Sequence, residues 1–276
     1  MSKRPQDRFS QAHIYQENFV SKGERKVLLE ELKQFYPIWE ERYSKSNPPP
    51  EGQPNRWLLR PVYWLGNWQF ACLNYYHPPK GIEYRCVKAE PFPDTMQKLV
   101  NEIEAKVRNQ FLEKDVPRFW KLNTCLINYY GHKLIDGKKV EFARVGEHKD
   151  FEPGPVASLS FGEKALLQFV KSDGKHSQSQ VVQQQWLEDS SLQIFGGDRY
   201  KKQLFHRVQR VEDKGFVFNE NHTGDYVTRR INLTFRYVPD DHIYLLNRLP
   251  AEKQADIAPY IQQLAGTSPY FKKQII

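Results

Sequence analysis

His148 and Asp150 stand two residues apart in His148-Lys149-Asp150, and His206 follows in Gln203-Leu204-Phe205-His206-Arg207-Val208. Side chains two apart on a strand share a face, with backbones about 6 to 7 Å apart, so this pair can converge on one point. With His206 arriving from a distant strand, the three make a 2-His-1-carboxylate facial triad. That arrangement leaves three positions of an octahedral Fe(II) open for a cosubstrate and oxygen. His222, in Glu220-Asn221-His222-Thr223-Gly224-Asp225, rivals His206 for the distal position, although its polar neighbours favour a solvated turn.

A second stretch asks for an anion or for water. In Arg230-Ile231-Asn232-Leu233-Thr234-Phe235-Arg236, apolar Ile231, Leu233 and Phe235 alternate with two cations and two hydrogen-bonding groups. A strand throws successive side chains to opposite faces, so this is a ribbon with one apolar and one polar, cationic face.

Four motifs stand in order along the chain: Asn128-x-Tyr130, His148-x-Asp150, His206 and Arg230-x-Asn232-x-Thr234-Phe235-Arg236. In them the sequence resembles the AlkB family of Fe(II)/2-oxoglutarate dioxygenases. The resemblance covers roughly residues 60 to 240, and it includes Leu187 to Gly197 as the strand and turn before the distal histidine.

The resemblance implies His148, Asp150 and His206 as iron ligands, with Asn128, Tyr130, Arg230, Asn232 and Arg236 around 2-oxoglutarate. A dicarboxylate needs cations and neutral donors in a closed pocket, each charge-assisted hydrogen bond contributing roughly 1.5 to 3 kcal/mol. Arg230 and Arg236 are six residues apart, about 20 Å along a strand, so we expect one at the distal carboxylate and the other nearer the metal. The implied chemistry is decarboxylation of 2-oxoglutarate to succinate coupled to hydroxylation of a substrate carbon. On an N-methyl group the product falls apart to formaldehyde and a demethylated base. After Asp150 the chain reads Phe151-Glu152-Pro153-Gly154-Pro155, where members acting on nucleic acid often carry further acidic residues; this departure bears on the substrate, not the cofactor.

The elements that must position these groups are partly visible. Residues 24 to 43 carry Leu28, Leu29, Leu32, Phe35, Trp39 and Tyr43 at mostly helical steps, with Pro37 as a possible break, and 44 to 54 read as a surface linker. Residues 56 to 88 mix aromatics with bases, interrupted by Gly66-Asn67 and Pro78-Pro79-Lys80-Gly81. They fill the place of the family's substrate lid, with Trp57, Trp64, Trp68, Tyr76 and Arg85 as substrate-binding candidates able to stack and clamp bases. Phe92 to Lys114 has the stripe Met96, Leu99, Val100, Ile103, Val107 and Phe111, a helix fit to cover a sheet. From Thr124 short strands follow one another with no helix between, the signature of an antiparallel sandwich or barrel. Ser172 to Gln185 reads as a mobile polar loop, and 251 to 265 as a C-terminal helix ending at Gly266.

The resulting expectation is an α+β fold with a mainly β core, the double-stranded β-helix or jelly-roll that the resemblance implies. We expect a single oxygenase domain over 1–276: an N-terminal helical extension and linker to 55, the lid and covering helix over 56–120, the core over 121–245, and a C-terminal helix over 246–276.

Composition sets the remaining bounds. A net charge of +8 makes a polyanionic partner such as DNA or RNA plausible. No apolar run of membrane-spanning length exists, and the first residues have charge without an apolar region behind them, so we expect a soluble cytoplasmic protein. Cys72, Cys86 and Cys125 lack metal-ligand spacing and read as buried thiols. The leading expectation is oxidative demethylation of alkylated nucleic acid, in repair or modification. The same chemistry on a protein or small molecule is an alternative, and a basic binding module without catalysis is a third.

Overall fold

The computed structural model describes residues 12–73, 86–172, 179–209, 217 and 225–275. In chain order the strands are β1 (His13–Gln16), β2 (Val62–Leu65), β3 (Asn67–Trp68), β4 (Val87–Lys88), β5 (Thr124–Ile135), β6 (Lys138–Phe142), β7 (Val145–His148), β8 (Val156–Gly162), β9 (Ala165–Lys171), β10 (Gln180–Leu187), β11 (Ser191–Phe195), β12 (Phe205–Gln209) and β13 (Val227–Arg236). The α-helices are α1 (Lys22–Leu32), α2 (Asp94–Gln110), α3 (Ala251–Ala265) and α4 (Pro269–Lys272).

Among these residues one antiparallel sheet runs β1-β11-β8-β13-β5-β2 with β6 on β5, and a second runs β10-β9-β12-β7. The chain crosses repeatedly between them, giving the α+β double-stranded β-helix expected. Strand alternation decides what each sheet face does. On β13, Ile231, Leu233 and Phe235 join the main hydrophobic core with Leu159 and Phe161 of β8 and the apolar stripe of α2. Arg230, Asn232, Thr234 and Arg236 face the other way, into a cavity between the sheets. A smaller apolar cluster, Val156, Leu167, Phe169, Leu187, Phe195, Tyr200 and Leu204, closes the rest of the space between the sheets.

The structure corrects several local expectations. The first helix begins at Lys22 under a Ser21/Glu24 capping box and ends at Leu32, so Trp39 and Tyr43 are not on it. Pro37 disfavours helix just before it, and Ile38 instead exchanges backbone hydrogen bonds with Val62 at 2.8 and 2.9 Å. The N-terminal segment is built into the core: β1 pairs with β11, and Leu28, Leu29 and Leu32 are buried in the main cluster. Gln180–Leu187, expected within and beyond a polar loop, pairs with β9 as an exposed edge strand. Within the aromatic, basic segment a 3₁₀ turn forms at Ala71–Leu73. Helix α3 lies where the sequence placed it, while α2 is shorter than the expected 92–114, ending at Gln110 so that Phe111 falls just past it, and it has no side-chain cap at its start. The three cysteines are buried.

Candidate metal and cosubstrate site

The register of the second sheet builds the metal centre. On antiparallel β12 and β7, His206 stands directly opposite His148, and the two rings lie 4.2 Å apart. Asp150 follows two residues after His148, just past the strand end. Its Oδ2 sits 3.4 Å from His206 Nε2. One ligand atom from each of the three residues falls within 4.8 Å of the others. Two imidazoles and one carboxylate at this spacing form the donor set that suits Fe(II).

Electrostatics prepares these donors. Burial, and then the neighbouring His206, hold the His148 imidazole down at about 3, so it is a neutral lone-pair donor. Its Nδ1 lies 2.8 Å from the Gly146 carbonyl, which leaves Nε2 for a metal. Burial alone would raise the Asp150 carboxyl, but the Arg236 guanidinium and His206 outweigh it and hold the group well below the usual range. Arg236 Nε–H donates to Asp150 Oδ1 at 2.8 Å, and Nη2 reaches the same oxygen at 2.8 Å.

The first sheet builds the anion site. Its register sets Arg230 opposite Tyr130 and Asn232 opposite Asn128, with Asn232 also opposite Ser160. Arg230 is buried, donates to Ser160 Oγ at 3.1 Å, and stacks 4.9 Å from the centre of the Tyr130 ring. Its Nε–H has no hydrogen-bond partner, and no carboxylate among the described residues pairs with it. Burial works against its charge, so a bound carboxylate in this cavity would answer an unmet demand. Asn232 Nδ2 donates to Ser158 Oγ at 2.6 Å, and Thr234 Oγ1 donates to Asn232 Oδ1 at 2.8 Å, fixing the amide.

All eight residues expected at metal and cosubstrate line one cavity of about 650 Å³. The lid candidates divide. Trp57 lines the same cavity and is 54% exposed. Trp64 and Trp68 do not line it: both are buried in the core, and their indole N–H groups donate to the buried Glu40 carboxylate at 2.8 and 2.6 Å. Tyr76, Arg85 and the rival His222 lie outside the described residues.

Sequence reasoning missed Arg60 and the two β8 serines. Arg60 donates to Asn128 Oδ1 at 2.7 Å and packs 5.2 Å from the centre of the Tyr130 ring. Ser158 and Ser160 were signalled by their two-residue spacing on an otherwise apolar strand.

The family model described as the 2OG-Fe(II) oxygenase superfamily matches residues 12–236. No curated protein matches the chain. Among solved structures, one described as the structure of OsALKBH1 is similar at 19% identity and a TM-score of 0.49, covering 82% of this chain and 98% of that chain. YcfD, a ribosomal oxygenase from Escherichia coli in complex with cobalt and succinic acid, is similar at 9% identity and a TM-score of 0.34, covering 95% of this chain and 65% of that chain.

Proposed function

The chain belongs to the 2OG-Fe(II) oxygenase superfamily, and from that premise we propose an AlkB-like enzyme that oxidatively demethylates alkylated nucleic acid, in repair or modification. It is a dioxygenase dependent on Fe(II) and 2-oxoglutarate, which when bound supply hydroxylation of a substrate C–H bond coupled to decarboxylation of the cosubstrate. We assign the whole chain to one oxygenase domain.

In this reading His148, Asp150 and His206 hold the iron. Arg230, a buried cation with no carboxylate partner among the described residues, takes the distal carboxylate of 2-oxoglutarate, with Asn128, Tyr130 and Asn232 beside it. Arg236 serves the metal end by holding Asp150 Oδ1, which turns Oδ2 toward the two imidazoles. The two arginines thus divide the work along the strand.

The observation that carries the substrate reading is the composition of the cavity around Trp57. Arg42, Arg56, Arg144 and Lys149 line it with that exposed ring. Besides Asp150, Glu147 lines it, already engaged by Arg207 at 2.7 Å and by the Ser179 hydroxyl at 2.8 Å. Cations beside an exposed aromatic face match a phosphate backbone and a base that stacks. No helix among the described residues is long and apolar enough to cross a membrane.

The test is reconstitution with Fe(II) under nitrogen, then exposure to oxygen with 2-oxoglutarate and N-methylated DNA or RNA oligonucleotides. We expect formaldehyde in step with succinate. Succinate production that no methylated oligonucleotide stimulates, with no formaldehyde, would overturn the substrate assignment while leaving the oxygenase chemistry in place.

A further inference from the structure

Asp150 and Phe151 line a second cavity of about 310 Å³ as well as the first. Glu152 and Lys201 line only this second one. Both Glu152 oxygens and Lys201 Nζ are buried without a hydrogen-bond partner. The closest charge contact of Glu152 is Arg236 Nε, at 3.6 Å, and Lys201 acts electrostatically on both Asp150 and Glu152.

The chain fixes Glu152 in that place. Gly154 adopts φ +78°, and a Cβ there would come 2.4 Å from Trp120 Cδ1. Only glycine accepts both conditions at little cost. Trp120 Nε1–H donates to the Pro155 carbonyl at 3.3 Å, closing the loop from the other side. Asp150, Glu152 and Arg236 are buried and Lys201 Nζ is shielded from solvent, while Lys114, Asp115, Asp198 and Lys202 line the rest of the same cavity.

We propose that Glu152 and Lys201 are positioning residues of opposite sign, which set the charge at the metal centre by acting on Arg236 and Asp150. The inference rests on the reading of His148, Asp150 and His206 as the iron site. Glu152 offsets part of the positive charge of Arg236, which otherwise competes with a divalent cation for Asp150. Lys201, which lines the same cavity as Asp150 and acts on it electrostatically, would oppose a divalent cation held by that carboxylate. Screening by water is weak at buried sites, so a unit charge removed here is felt at the metal. Groups that only packed the loop would weaken the site whichever of them was removed.

The sign of the effect is the test. Mn(II) binding to metal-free protein at neutral pH is followed from the signal of free Mn(II) in electron paramagnetic resonance, alongside thermal melts. Glu152→Gln is expected to weaken binding by about ten- to a hundredfold, the scale of outer-shell changes at metal sites. Lys201→Met is expected to tighten it, and the double variant to return toward wild type. Weakening in both single variants, or no change in Lys201→Met, overturns the proposal. If Glu152→Gln does not fold, Lys201→Met alone decides, because only the charge model makes the site tighter. Wild type that binds no Mn(II), or His148→Ala that binds it unchanged, sinks the metal-site reading and this inference with it. A sound metal site with the wrong sign sinks the inference alone.

Discussion

Arg236 Nε–H donates to Asp150 Oδ1 at 2.8 Å, across 86 residues of chain, and it does so from the last residue of β13. The sequence alone sets one strand arginine at the distal carboxylate and the other nearer the metal without saying which is which. The structure gives this one a buried carboxylate of the protein's own. Arg236→Met is therefore expected to weaken metal binding by about ten- to a hundredfold, because losing the hydrogen bonds that orient Asp150 outweighs losing a charge that competes with the metal, a grip that Lys201 does not supply. The measurement is metal retained after dialysis at fixed free metal. Full retention together with a raised KM for 2-oxoglutarate would mean that Arg236 serves the cosubstrate instead.

Arg230 gives the opposite split. Among the described residues its side chain touches Ser160 and the Tyr130 ring, and none of His148, Asp150 and His206 is hydrogen-bonded to it. Arg230→Met is expected to raise the KM for 2-oxoglutarate by about tenfold or more, because a charge-assisted hydrogen bond contributes roughly 1.5 to 3 kcal/mol. Metal stoichiometry should stay at wild type. Loss of metal with an unchanged KM would invert the assignment.

The difference between these two arginines marks how far the sequence reaches. Alternation along Arg230 to Arg236 puts the four polar side chains on one face, because a strand's period of two fixes the face of every residue. It could not say what each cation meets, since Asp150 arrives from another strand's end. Trp64 and Trp68 show the same limit. Nothing local distinguishes a ring that stacks on substrate from one held in the core by Glu40, more than twenty residues upstream. β10 was missed because its exposed, glutamine-rich edge carries no apolar alternation and forms through pairing with β9.

That division of the lid can be measured. Trp57 is half-exposed, so Trp57→Ala is expected to leave the melting temperature nearly unchanged while raising the KM for an oligonucleotide substrate several-fold, in line with about 1 to 3 kcal/mol per stacked base. Trp68→Phe removes the indole N–H that donates to Glu40 at 2.6 Å and leaves a buried carboxylate one donor short. Its cost is expected in stability, about 1 to 3 kcal/mol by urea titration. A stable Trp68→Phe variant with a substrate defect would return that residue to the lid.

Acid stability follows from a charge pair away from the cavity. Arg229 donates to Glu141 at 3.0 and 2.7 Å and to Glu163 at 3.0 Å, tying the β5–β6 hairpin to β13. Burial would raise the Glu141 carboxyl, but Arg229 and Lys139 hold it at about 2, against an ordinary value of 4.5. A carboxylate depressed in the folded state adds stability that is complete above its unfolded value and lost as pH falls toward the folded one. Wild type should therefore lose more stability than Glu141→Gln between pH of about 5 and about 2, the window set by those two values. Chemical denaturation across that range reads the difference. Parallel curves for the two proteins would show that this pair contributes nothing to the acid limb.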